Sequence, residues 1–473
     1  MTISALPCDV LLEIFKFYVD QIHNPDAWHK LVHVCREWRD VVFASPRWLN
    51  LELLCTDRRP VKKRLDVWLV LPIVVAAYMT NSRRSRVANV IAALKLHNVV
   101  CRINIWGVPN SLLESAAIKK PFPELTHLTL HSIEQEAPAI TDSFLGGSAP
   151  RLQSLEFKGI QLLYPALGKL LLSATDLVTL RLENIPNSGI VSPELLVTSL
   201  STLTRLQELL IGFRSPRSRA DRERRNLSLL KRVDLPSLTK FRFKGDSEYL
   251  EDIAGRIDAP ALGRVTIIFF NQLLFDLPLL RDFFSRTVVF REPHRADVFS
   301  TGSHIHFRLC RHEGVKDRRI LEVAISCTVL EWQLSSLAQF CSASIPPLPT
   351  LERLSIYEKS DRPLYWSSDM EGSQWLELLN PFVTVRYLDL SLGSTEQIAP
   401  ALGGLTGNTV REVLPALREV CIEACHILGP HKGAVRPSWE VLRTIREGFT
   451  LFTTARQLLG FPVALYPVEI VTS

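Results

Sequence analysis

The sequence predicts an α/β chain in two parts: a small helical segment at the N-terminus, then a long, curved array of strands and helices. Three observations predict it. Residues 5–50 carry apolar side chains at helical spacing, a short apolar motif returns again and again from residue 122, and segments of helical period separate its copies.

The first part opens with "LPCDVLLEIFKFY", in which Val10, Leu11, Ile14, Phe15 and Tyr18 recur at helical spacing and Pro7 stands where a first turn tolerates it. Asn24-Pro25-Asp26 then supplies a cap, a pre-set first residue and an N-terminal acid, so a second helix should start near residue 25. Its stripe is Leu31, Val34, Cys35, Trp38, Val41 and Val42; "SP" at 45–46 ends it and Trp48 follows. So few helices bury too little surface to stand alone comfortably, so they need a covering partner, either the rest of the chain or another protein. The plainer alternative is a helical cap on the domain that follows.

These residues resemble the F-box: "LP" (Leu6, Pro7), "DVLLEIF" (9–15), "VCREWR" (34–39) and Trp48 stand in its order and spacing, over about a tenth of the chain. The connection "VDQIHNPDAW" is longer than the pattern expects. The resemblance implies docking on a Skp-family adaptor of a cullin ubiquitin ligase. Leu6, Pro7, Ile14, Val34, Cys35, Trp38 and Trp48 would face the adaptor, the large aromatics acting as anchors.

In the second part, "FPELTHLTLHSI" (122–133), "APRLQSLEFKGI" (149–160), "ATDLVTLRLENI" (174–185), "LTRLQELLIGF" (203–213), "LPSLTKFRFKGD" (235–246) and "APALGRVTIIFF" (259–270) share one template. "LPTLERLSIYEK" (348–359), "FVTVRYLDLSL" (382–392) and "LPALREVCIEA" (414–424) repeat it. Each carries an apolar residue, another three later and a third two beyond, the L-x-x-L-x-L core of a leucine-rich repeat. The uneven spacing means helical returns of unequal length. "HIHFRL" (304–309) and "ILEVAI" (320–325) read as degenerate units in the long gap after residue 270, and "LPIVVAAY" (71–78) and "VVCRINIW" (99–106) as earlier ones. "SPELLVTSLSTL" (192–203), "SEYLEDIAGRI" (247–257) and "WEVLRTIREGFTLFTTARQLL" (439–459) read as helices, with "FPVALY" (461–466) as a terminal capping strand.

The expected organisation is therefore a helical F-box over 1–50, a connector with degenerate first repeats over 51–120, an irregular leucine-rich-repeat solenoid over 121–430, and a helix–strand cap over 431–473. The whole chain is similar to the large fungal group of F-box proteins with divergent leucine-rich repeats. The resemblance implies a substrate-recruiting subunit whose repeats hold a target protein. The alternative is a non-ligase interaction scaffold that uses the same repeat surface.

Strand alternation exposes every second residue of each repeat. His127, Thr129 and His131 should face outward, then Glu156, Lys158, Arg181 and Glu183. Later strands add His304 and His306 and the cations Lys240, Arg242, Lys244, Arg264, Arg308 and Arg353. Arg181 and these six cations are the candidate target-binding residues, suited to an acidic or phosphorylated partner. The plainer reading is a face charged for solubility and edge protection. "FRSPRSRADRERRN" (213–226) reads as a solvated loop because Asp221 and Glu223 interrupt its basic run.

Composition excludes several classes. Over 473 residues, 47% apolar and 22% charged residues describe an ordinary globular protein, and a net charge of +6 is too mild for a dedicated nucleic-acid binder. Nine cysteines, an odd number without pairing rhythm, point to reduced thiols in the cytoplasm or nucleus. Met1 leads into an amphipathic pattern rather than a secretory signal. "VWLVLPIVVAAYM" (67–79) is shorter than the roughly 20 residues that span a bilayer and contains Pro72.

Catalytic motifs are missing from the sequence. "GGLTGN" (403–408) lacks the lysine and hydroxyl of a phosphate-cradling loop, and there is no G-x-S-x-G, H-E-x-x-H or paired C-x-x-C. His304, His306, Cys310 and His312 are the sharpest metal candidates, but ligands strung along one strand cannot converge on a tetrahedral ion without another element folding over them. The expectation is no catalytic residue, no metal and no cofactor.

Overall fold

In the computed structural model, the described residues are 6–21, 27–45, 48–49, 53–58, 71–79, 84–133, 136–217, 232–272, 274–301, 303–313, 316–326, 330–358, 372–391, 394, 398, 401, 413–425, 450–456 and 465–467. They are mixed α/β, with parallel strand pairing dominant, and divide into two compact units, Met1–Arg214 and Ser215–Ser473.

The first unit begins with helices α1 (Cys8–Gln21), α2 (Trp28–Val32) and α3 (Arg36–Ala44). The single helix expected from residue 25 is thus two. Cys35 adopts an extended conformation (φ −154°, ψ 172°) and its Sγ accepts from the Trp38 N–H, which caps α3 and breaks the stripe between Val32 and Arg36. Arg39 Nε donates to the Val32 carbonyl at 3.0 Å, satisfying a C-terminal carbonyl of α2 that the break leaves without a helical partner.

Strands β1 (Leu53–Thr56), β2 (Ile73–Tyr78), β3 (Val100–Trp106) and β4 (His127–His131) follow, with helix α4 (Arg84–Leu94) between β2 and β3. A short pair is formed by β5 (Ala139–Ile140) and β7 (Gln161–Leu162), either side of β6 (Ser154–Lys158). Strands β8 (Thr179–Ile185) and β9 (Glu208–Phe213) complete the unit. Omitting the short pair, each strand joins the next in parallel from β1 to β9.

In the second unit, β10 (Val233–Asp234) pairs with β12 (Ile257–Asp258), and β11 (Lys240–Gly245) pairs in parallel with β13 (Arg264–Phe269). Then come β14 (Arg295–Ser300), β15 (His304–Glu313), β16 (Lys316–Ser326), β17 (Arg353–Glu358), β18 (Tyr387–Ser391), β19 (Glu419–Cys425), β20 (Thr450–Arg456) and β21 (Leu465–Pro467).

One turn recurs before the strands. The first apolar residue of the motif donates its N–H to the carbonyl three residues back, as Leu125 to Phe122, Leu177 to Ala174, Leu262 to Ala259 and Leu351 to Leu348. The next N–H bonds to a carbonyl just before the preceding strand or within it: Thr126 to Cys101, Gln153 to Thr126, Val178 to Gln153, Gln207 to Val178. The three motif positions then point inward together. From Leu125, Leu128 and Leu130 through Leu351, Leu354 and Ile356 to Val385, Leu388 and Leu390, they are at most 3% exposed. Burial of these side chains, worth about 1.5–3 kcal/mol each, is the main force holding the strands in line.

Two expectations fail at the long gap and near the C-terminus. "HIHFRL" is not a repeat unit, because β15 runs antiparallel to both β14 and β16; "ILEVAI" lies on β16, which runs parallel to β13 with Ile320, Val323 and Ile325 fully buried, and β14 runs parallel to β17, so the three strands form a meander set into the parallel order. Connections of two or three residues, at 301–303 and 314–315, cannot carry a parallel crossover, so the strands must turn back. Within 439–459, expected to be helical, Thr450–Arg456 is a strand paired in parallel with β19, and Leu465–Pro467 returns antiparallel to it. The run "TLFTTA" is rich in β-branched and aromatic residues, which suit a strand that finds a neighbour. The rest of 439–459 lies outside the described residues, as do most of 213–226 and "GGLTGN".

Candidate functional site

The N-terminal helices have a core of their own. Leu11, Phe15, Trp28, Leu31, Val32, Val42 and Leu49 are buried, with Trp28 against Phe43 at 6.1 Å between ring centroids and Phe15 against Trp38 at 4.7 Å. A second set of apolar side chains points away from it. Ile14 is 46% exposed, Val34 59% and Trp48 51%, joined by Val10 and Phe17 on α1. Leu11 and Phe15 thus take the inner face of α1 while Val10, Ile14 and Phe17 take the outer. A monomer has little reason to expose so much apolar surface on so small an element.

Of the residues expected to face an adaptor, Pro7, Ile14, Val34, Cys35 and Trp48 are exposed, whereas Leu6 and Trp38 are half-buried. Trp38 packs on Phe15 and is partly structural. Lys16 Nζ lies 4.5 Å from the Trp48 ring centroid, a cation–π contact. A hollow of about 620 Å³ between α1 and α3 is lined by Cys8, Leu12, Val41 and Ala44, with Arg36 and Asp40 among its charged residues.

The exposed strand face of the first unit is mostly self-neutralised. Arg181 Nη2 lies 2.8 Å from Glu208 and its Nη1 3.8 Å from Glu156, and Lys158 lies 3.5 Å from Glu183. Arg181, 39% exposed, is thus ion-paired within its own unit. His131, expected outside, is buried: Trp106 packs edge-on against it at 3.9 Å and its Nε2 meets Glu156 Oε1 at 2.7 Å. That hydrogen bond, against the cost of burial and with the charges of Arg181 and Lys158, holds the Glu156 carboxyl below its ordinary range.

In the second unit, Lys240 stands beside Arg264 and Arg242 beside Thr266 on adjacent parallel strands, with Lys244 one pleat further along. Among the described residues, no carboxylate pairs with Lys240, Arg242 or Lys244; Lys244 Nζ sits 5.8 Å from the Phe270 ring centroid. Three expected cations behave differently. Arg308 donates from Nε and Nη2 to Glu322 Oε1 at 3.0 and 2.8 Å, and Arg353 Nη1 reaches both oxygens of Asp389 at 3.0 and 3.1 Å. Arg264 is 49% exposed and only grazes Glu322 at 3.8 Å. Burial alone would raise the Glu322 carboxyl, but the hydrogen bonds and charge of Arg308, with Arg319 and His306, bring it below its ordinary range.

The structure adds two residues to this cluster that strand alternation missed. Arg318 and Arg319 join Thr239, Lys240 and Arg264 around a hollow of about 360 Å³. Their sequence signal was the run "KDRR" (316–319), which a repeat register placed outside the strand. Of the metal candidates, His304 Nδ1 meets Ser303 Oγ at 2.8 Å, His306 stacks on Phe299 at 4.5 Å, and the His312 ring lies 5.4 Å from that of His294. No group of three or more potential metal ligands occurs among the described residues.

Among the described residues, Cys8, Cys35, Cys55, Cys101, Cys310, Cys341 and Cys421 stand outside any disulfide. No described helix is long and apolar enough to cross a membrane. Neither the protein-family models nor the curated proteins contain a match to this chain.

Proposed function

We propose that this protein is a substrate-recruiting subunit of a cullin-type ubiquitin ligase. Its N-terminal helices act as an F-box that docks on a Skp-family adaptor, and its leucine-rich-repeat solenoid holds a target protein by the basic strand face of the second unit. The protein performs no catalysis itself; it raises the local concentration of the target beside an activated ubiquitin. The observation that carries this reading is the two-sided N-terminal segment, which has its own core yet exposes Ile14, Val34 and Trp48 at positions that match the F-box pattern.

The test is co-expression with a Skp-type adaptor, followed by tandem purification and cross-linking mass spectrometry. Recovery of adaptor and cullin, with cross-links from Lys16 and Lys30 to the adaptor, supports the ligase reading. Recovery of proteins bound to the repeats without cullin supports the scaffold alternative, and failure to bind any Skp-type adaptor removes the F-box assignment.

A further inference from the structure

The chain holds three Ser-Pro pairs, at 45–46, 192–193 and 215–216, and no Thr-Pro pair. A proline lacks an N–H and biases the residue before it towards extended backbone, the form in which a protein kinase cleft takes a substrate. Two of the three pairs are committed to helix ends. Ser192 Oγ accepts from the Leu195 N–H at 3.4 Å and caps the helix Pro193–Leu200, whose first residue is the proline. Ser45 closes α3: its N–H bonds to the Val42 carbonyl at 3.3 Å and its own carbonyl accepts from Leu49 at 3.2 Å. Entering a kinase cleft would cost either serine a helix terminus. Ser215 stands elsewhere. It comes two residues after the end of β9 at Phe213 and is half-buried, between the exposed Arg214 and Pro216.

Immediately beyond Ser215 the chain is held by a clasp. Arg217 donates from its backbone N–H at 2.9 Å and from Nε at 3.1 Å to the same oxygen of Asp246. Their side chains are 11% and 3% exposed, and the guanidinium carbon lies 5.1 Å from the Tyr249 ring centroid. Asp246 stands in extended backbone at the N-terminus of the helix Ser247–Arg256, yet its side chain makes no capping bond there. Its carboxylate is spent on Arg217 instead, and the pair ties the segment after Ser215 to the start of that helix. A carboxylate so buried depends on its partner, since breaking the pair leaves an uncompensated charge.

We propose that Ser215 is a phosphorylation site for a proline-directed protein kinase, and that its phosphate opens the clasp of Arg217 on Asp246. The serine hydroxyl oxygen attacks the γ-phosphorus of ATP, the new O–P bond forms as the bond to ADP breaks, and the hydroxyl proton passes to the base of the kinase. Two residues of chain span at most about 7 Å, so a phosphate on Ser215 is within reach of the Arg217 guanidinium. It carries nearly two charges and three acceptor oxygens, against the single charge of Asp246, and competes for that guanidinium. Its charge also repels the Asp246 carboxylate. Both effects act in one direction, loosening the first turn of the helix Ser247–Arg256. The proposal stands apart from the adaptor and target readings, because it needs neither partner.

The test incubates the full chain with magnesium ATP and a purified cyclin-dependent kinase or, separately, a mitogen-activated protein kinase. Trypsin would cut on both sides of the site, at Arg214 and Arg217, so phosphate is mapped by mass spectrometry after digestion with a protease that spares arginine. Ser215 should be modified about tenfold or more faster than Ser45 or Ser192, and Pro216→Ala should slow its modification about tenfold. On phosphorylation, amide hydrogen exchange at residues 247–250 should quicken about tenfold. Arg217→Gln, which removes the guanidinium, should quicken the same amides without phosphate, and phosphorylating Ser215 in that variant should add little. Ser215→Ala should keep the exchange of the unmodified chain through the kinase treatment. Melting curves taken before treatment establish that each variant is folded. No phosphate on Ser215 from either kinase, faster modification of Ser45 or Ser192, or a fully modified Ser215 with unchanged exchange at 247–250 would each overturn the proposal.

Discussion

Arg308 and Glu322 face one another across the antiparallel strands β15 and β16, both donors of one guanidinium edge converging on a single carboxylate oxygen. Their side chains are 12% and 15% exposed, and the Arg308 guanidinium also lies 4.1 Å from the Phe299 ring centroid. Strand alternation places Arg308 on the outer face, where it joins β15 to β16 through Glu322.

Arg308→Gln should therefore lower stability by about 1–3 kcal/mol, as expected for a largely buried hydrogen bond to a charged group, and leave target capture to the neighbouring cations. Urea denaturation measures the first and peptide titration the second. A variant of unchanged stability that loses target binding would return Arg308 to the recognition surface.

Glu251 supplies a second structural charge. It is 2% exposed on α8 (Ser247–Arg256; α5, Asn110–Leu113, α6, Tyr164–Ser173, and α7, Pro193–Leu200, precede it). Its oxygens accept from the N–H groups of Leu279 at 2.6 Å and Leu280 at 2.9 Å, at the start of α9 (Pro278–Arg286). This carboxylate satisfies two free donors and sits at the positive end of the helix. Glu251→Ala should cost about 2 kcal/mol or more, with Glu251→Gln milder, and hydrogen exchange should quicken first at Leu279 and Leu280.

The N-terminal tryptophans should separate by role. Trp28→Ala empties a site that is 1% exposed and should cost about 3–5 kcal/mol, enough to unfold the segment locally. Trp48→Ala and Ile14→Glu should leave the melting curve nearly unchanged but weaken adaptor binding by about 2 kcal/mol, roughly thirtyfold. Trp38→Ala should move both readouts, because that ring packs on Phe15. Loss of stability in Trp48→Ala would show that its exposed indole is already covered by the chain.

Acid should act on the strand face before it acts on the carboxylates. Burial, and then the charge of Lys244, lowers the His304 pKa; burial, and then Arg102, lowers that of His127. The fold favours the neutral form of both rings, so their contribution is complete above the unfolded value of about 6.5 and is lost as pH falls from there through the folded values. The urea midpoint should decline over that interval, and His304→Gln should shallow the decline. Glu156 and Glu322, whose pKa values are also lowered, contribute above the ordinary carboxylate range and lose their contribution only in stronger acid. A midpoint flat down to the carboxylate range would contradict the histidine assignment.

Local pattern was enough to place the repeated strands. The triplets from Leu125, Leu128 and Leu130 to Val385, Leu388 and Leu390 are buried, because a period of two on a half-buried strand is written in adjacent residues, whereas Leu417 in the last copy is half-buried. The helical period of α1 is legible in the same way, although Val10 and Ile14, read as one stripe with Leu11 and Phe15, lie on its outer face. What only the tertiary structure decided depends on residues distant in sequence. The break at Cys35 depends on a thiol accepting from Trp38 where a helix could have continued, and the meander of β14 to β16 on which strands meet when short turns forbid a crossover. Which cations remain available depends on carboxylates from other strands: Glu322 takes Arg308, Asp389 takes Arg353 and Glu208 takes Arg181, while a single extra residue at Ile320 turns Arg319 outward. Charge is a property of the residue, but whether a charge is offered to a partner is a property of its neighbours, and those are set by register rather than by sequence.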